Sequence, residues 1–146
     1  MKEEELSACY AKLICEMGKV DEFYEVATLA EPETGQEYAN FLSQVFGVEN
    51  PENTLEFWIK STNTYCGLPE EQQKKAFNDW CTLVGEHMLK VCRDPTSEIC
   101  VKSDLAADQF AGLLSKYKAI GFCTDMSDVP KEMTPKGLGK MASPFG

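Results

Sequence analysis

One histidine, His87, is all the imidazole the chain contains, so a metal site would have to be built from thiolates or carboxylates. No D-x-D-x-D-G calcium loop, phosphate-cradling glycine loop, dinucleotide fingerprint or G-x-S-x-G nucleophile turn is present, which excludes the recognisable forms of those chemistries. No two cysteines form a C-x-x-C pair, so neither a zinc ribbon nor a thioredoxin-type redox site is written here. No apolar run approaches the roughly 18 residues that span a bilayer. No asparagine begins an N-x-[ST] sequon, no internal repeat occurs, and no stretch alternates as a strand does. The opening MKEEELSACY is charged where a signal peptide would be apolar, so a secreted protein would correspond to this chain in its mature form.

Basic residues are scarce as well: 14 lysines and arginines face 24 acids, a formal net charge of −10. Such a surface repels phosphate backbones and anionic headgroups, and neither nucleic acid nor membrane insertion is expected. After Cys123 the lysines Lys131, Lys136 and Lys140 balance Asp125, Asp128 and Glu132. The excess acidity therefore belongs to the cysteine-bearing body, where solubility is sufficient reason for it.

With 146 residues, 43% of them hydrophobic and 26% charged, the chain is long enough for one domain with a substantial core. Its most informative count is seven cysteines: Cys9, Cys15, Cys66, Cys81, Cys92, Cys100 and Cys123. Cys9 and Cys15 lie on one helix about 9 Å apart along its axis, and Cys81 and Cys92 about 16 Å apart on another. Neither pair can bond internally, so these sulfurs are expected to join separate helices. Cys92 and Cys100, either side of a proline turn, form the expected local bridge. Dispersed cysteines of this kind predict about three disulfides and an extracellular location. An odd count leaves one thiol over, which opens the way to a disulfide-linked homodimer.

Residues 69–92 organise the rest. Phe77, Trp80, Cys81, Val84, Met88, Val91 and Cys92 recur at helical spacing, predicting one long apolar face on which everything else packs. Before it, residues 2–17 predict a helix with Leu6, Cys9, Tyr10, Leu13 and Met17 inward. A short helix capped by Asp21 turns Phe23, Val26 and Ala27 or Ala30 inward. EPETG reads as a loop, and residues 36–48 as a helix burying Tyr38, Phe41, Leu42, Val45 and Phe46. Asn50, Pro51 and Glu52 read as the start of the next helix, with Leu55, Trp58, Ile59 and Thr62 inward, ending near Cys66 on a left-handed Gly67. The last helix is expected from Ser103 and Asp104 to Gly121, burying Phe110, Leu113, Leu114, Tyr117 and Ile120. The fold expected is a single all-α domain over residues 1–123, five or six helices crosslinked by disulfides, followed by a flexible or peripheral tail over 124–146.

No catalytic, cofactor-binding or metal-binding residues are assigned, and no enzyme activity is expected. His87 follows Cys81 by six residues on one helix, which turns the two side chains apart and argues against a thiol–imidazole pair. The leading expectation is a secreted, non-enzymatic binding or protein-interaction module, able to form part of an extracellular assembly. The alternative is a carrier of a small hydrophobic ligand, of lipid or pheromone class, in a cavity between helices, since methionine and aromatic side chains adapt to such ligands. A secreted enzyme with an unrecognised site is the third. Met126, Met133, Met141 and Phe145 in the tail could then cover a groove or dock on a partner.

Overall fold

Acidic residues favour the positive end of a helix dipole, and the chain opens on a helix accordingly: α1 spans Glu3–Ala11 and runs directly into a π-helical turn, Lys12–Glu16. This computed structural model describes residues 3–121 and 123; the tail expected over 124–146, and Phe122, lie outside the described residues. Five further helices follow: α2 Val20–Ala27, α3 Pro32–Phe46, α4 Leu55–Cys66, α5 Glu70–Val91 and α6 Glu98–Ala119. Among the described residues there is no strand, and the helices form one all-α bundle. No helix among them is long and apolar enough to cross a membrane.

Several helix starts differ from the sequence expectation, each for a local reason. α2 begins one residue before Asp21, which sits in the first turn rather than at the cap. EPETG is not a loop: Pro32 opens α3, where a missing N–H costs no hydrogen bond. Gly35 lies in that added turn, and a Cβ there would stand 2.5 Å from the Asn53 side chain. Asn50 does not cap α4; it takes a left-handed φ of 58° in the preceding loop, a conformation asparagine tolerates. The cap is Thr54, whose hydroxyl accepts from the Phe57 N–H at 3.2 Å. α6 starts before Ser103, because Ser97 caps it by accepting from the Cys100 N–H. Gly47 ends α3 with a left-handed φ of 75°, whereas Gly67 closes α4 at φ −82° without the left-handed turn expected of it.

The buried face of α4 is also rotated from the expected one. Phe57, Trp58, Ser61, Thr62 and Tyr65 are buried, while Ile59 is exposed. Ser61 tolerates burial because its hydroxyl donates to the Phe57 carbonyl at 2.8 Å. Around Tyr10 the core is aromatic: its ring lies 5.3 Å from Phe23, 5.6 Å from Tyr65 and 4.9 Å from Phe77. Burial pushes the phenols of Tyr10 and Tyr65 well above the usual range and keeps both neutral. At the rim, the Tyr117 hydroxyl donates to both oxygens of Glu22 at 2.7 and 2.8 Å, tying α6 to α2. Burial first, and then that carboxylate, push this phenol up to about 12.

Three disulfides stitch the bundle: Cys9 to Cys123, Cys15 to Cys66, and Cys92 to Cys100. The local bridge expected over the proline turn is the last of these. The first holds the end of α6 to α1, and the second joins the π turn to the end of α4. Cys81 stands outside the bridges on an exposed part of α5.

Candidate functional site

The apolar face of α5 is covered over only part of its length. Phe77 and Trp80 are buried, Val84 and Met88 are half-buried, and Cys81 is exposed. The physical reason lies in the facing residues: opposite this half of α5 stand Ala27 of α2 and Ala106 and Ala107 of α6, whose methyl groups are too short to close the gap. What remains is a cavity of about 220 Å³.

Five helices build its wall. α5 contributes Trp80, Cys81, Val84, Gly85 and Met88, and α6 adds Phe110 beside the two alanines. Val26 of α2, Tyr38 of α3 and Trp58 of α4 complete it. The aromatic members brace one another: Trp80 lies 5.3 Å from Phe110 and 6.3 Å from both Trp58 and Tyr38, centroid to centroid. The Trp80 indole N–H donates to the Tyr38 carbonyl at 3.5 Å, which fixes that ring against α3. No lysine, arginine, aspartate or glutamate belongs to the wall. A cavity of about 150 Å³ with such walls accepts benzene, so this one suits a compact apolar molecule somewhat larger.

Gly85 forms part of the rim, and a Cβ there would meet nothing within 4 Å. A glycine inside a helix costs about 1 kcal/mol relative to alanine, and no crowding in the structure requires it here.

His87 belongs to the neighbouring face of α5, with its ring 6.3 Å from Tyr38 and 6.1 Å from Phe41. Its Nε2 is buried without a hydrogen-bond partner. Desolvation holds its pKa below the ordinary imidazole value, assisted by Lys90 and opposed by Glu37. The folded protein thus favours neutral His87, and the unfolded chain takes up the proton first as the pH falls. Stability contributed by this group is complete above about pH 6.5 and is lost as the pH drops through the lower folded-state value. Melting temperatures measured from pH 7.5 downwards are expected to decline across this window in the wild type and to flatten in His87→Gln. Equal slopes would show that carboxylates carry the dependence.

A larger groove of about 820 Å³ runs between α1, the π turn and α5, lined by Lys12, Glu16, Glu70, Gln73 and Lys74 among others. It is wide open, and Lys74 is already engaged with Glu70 at 3.9 Å and Glu71 at 3.5 Å. That lysine is thus paired along the surface of its own helix. Among the described residues no cluster of three or more histidine, cysteine or acidic side chains could hold a metal.

The chain matches no family model, no curated protein and no solved structure. The cavity therefore has to be interpreted from its own chemistry. Of the cysteines singled out in the sequence, Cys81 alone belongs to its wall. The six others lie in the bridges. Gly85, Ala106 and Ala107 carry no sequence signal of a site beyond the unexplained glycine inside a helix.

Proposed function

We propose that the protein is a secreted, non-enzymatic carrier of a small apolar ligand, held between α5, α6 and the three helices beneath them. The observation that carries this reading is the wall of the 220 Å³ cavity, which opens to solvent beside Cys81 and Gly85 and is lined by aliphatic and aromatic side chains from five helices with no charged side chain among them. Sites for small molecules are typically concave and apolar. Titration with tetralin, a neutral bicyclic hydrocarbon of fitting size, is expected to give saturable heat and to change tryptophan emission, because Trp58 and Trp80 line the wall. A raised melting temperature should accompany it. No saturable binding of tetralin would overturn the carrier reading.

Secretion is supported by the bridges, since disulfides persist in oxidising compartments. Alkylation of the native protein without reductant is expected to modify at most Cys81, leaving six cysteines protected in intact mass. Seven modified cysteines would place the chain in a reducing compartment instead.

A second reading, a protein-interaction module, draws on a different observation. Leu89 is 78% exposed, and Val101 and Leu105 of α6 are exposed too, on the helices that Cys92 and Cys100 join. Concentration-dependent self-association of the native protein that Leu89→Lys abolishes would favour this reading over a monomeric carrier.

A further inference from the structure

The cavity between α5 and α6 opens where both helices carry short side chains. On α5, Cys81, Gly85 and Leu89 recur every four residues and form one row. The first two line the cavity, and Leu89, one turn farther on, is 78% exposed. On α6, Asp104, Ala107, Asp108 and Ala111 share a face, of which Ala107 lines the cavity and the other three are exposed. Glu86, exposed as well, stands one turn before Leu89. The mouth is thus an apolar strip edged by Glu86, Asp104 and Asp108, and none of these three acids forms an ion pair with a described residue. Apolar surface left in contact with water is stabilised by a covering segment of matching polarity.

The chain carries such a segment. Residues 133–146, MTPKGLGKMASPFG, hold Lys136 and Lys140 and no acid, with Met133, Leu138, Met141 and Phe145 as large apolar side chains. They complement the mouth in charge as well as in hydrophobicity. Reach permits the contact. Cys123, bonded to Cys9, lines one groove with Gln73, and Gly85 lies twelve residues farther along α5, about 18 Å. Residues 124–132 can extend to about 30 Å, so they can bring Met133 to the mouth, while the bridge keeps the local concentration of the segment on the order of millimolar.

We propose, resting on the carrier reading above for what is enclosed, that residues 133–146 dock across this opening as a lid, their apolar side chains on Gly85, Leu89 and Ala107 and their two lysines against Glu86, Asp104 and Asp108. An occupant then leaves only when the segment lifts.

The full chain and a chain ended after Glu132, which retains all three bridges, form the pair for the test. Methyl resonances of Leu89 and Ala107 are expected to move between the two, while that of Ile59, exposed on α4, stays in place. Stopped-flow dissociation of tetralin should be about tenfold faster from the shortened chain. Lys136→Glu with Lys140→Glu in the full chain should reproduce both changes, and this variant decides alone should the shortened chain fail to fold. Unmoved methyl signals would overturn the proposal. Moved signals with an unchanged dissociation rate would do so as well, because the segment would then rest beside the opening. Tighter tetralin binding by the shortened chain would mean that the segment fills the cavity instead of covering it, and the lid would fall on that result too. If the full chain binds no tetralin, the carrier reading itself falls, while the methyl comparison still decides whether the segment docks.

Discussion

Replacing Cys9 and Cys123 together by alanine is expected to lower the free energy of unfolding by about 5 kcal/mol, against about 2.5 kcal/mol for the same change at Cys92 and Cys100. The difference follows from chain statistics. The first bridge joins residues 114 apart and the last joins residues 8 apart, so the long one removes far more freedom from the unfolded chain. Cys9 is also buried at the meeting of α1 and α6, and the bridge holds the last described residue of the chain to the first helix. Against a total stability of about 5–15 kcal/mol, a loss of this size leaves a marginal protein. Urea unfolding of the two double variants at matched pH gives the comparison. Equal shifts in midpoint and slope would mean that the bridges do not act mainly through the unfolded state.

Gly85→Phe is expected to reduce tetralin affinity at least a hundredfold without lowering the melting temperature. A side chain at this position meets open space rather than a neighbour, so the ring can occupy the volume a ligand would take. Removing glycine from the helix interior contributes stability of its own, about 0.5 kcal/mol for phenylalanine and about 1 kcal/mol for alanine. Gly85→Ala serves as the control: a raised melting temperature with affinity within about threefold of wild type, since one methyl group fills little of the cavity. The opposite signs of the effects on stability and binding distinguish plugging from damage. A fall in stability with Gly85→Phe, or unaltered tetralin binding, would show that the cavity beside this glycine is not the binding space.

The face turned inward was legible from periodicity in most helices, with α4 rotated from expectation, and it includes most of the cavity wall. Val26, Ala27, Tyr38, Trp58, Trp80, Val84, Met88 and Phe110 all fall on expected inward positions. Periodicity reports which way a side chain points and not whether its neighbours reach it. The space beside Trp58 and Val84 arises because α2 and α6 present alanines there, and alanine in a sequence reads only as a good helix former. Helix starts were less legible, because Thr54 and Ser97 compete as caps with other polar residues close by. The choice of Asn50 failed for that reason: its side chain suits a cap, but its backbone is committed to a left-handed turn. Disulfide geometry on a helix excluded bonds within the pairs Cys9–Cys15 and Cys81–Cys92. Pairing Cys9 with Cys123 and Cys15 with Cys66 required knowing which helix ends meet, information that resides in tertiary packing.

The shortest crosslink has a role that its small effect on unfolding conceals. Cys92 and Cys100 fasten α5 to α6 at one end, while the cavity lies between the same two helices farther along. Joined like the arms of tweezers, they can part only by swinging about that fixed point. On the carrier reading proposed above, the bond is expected to lengthen the residence time of an occupant, and severing it should let the guest leave sooner.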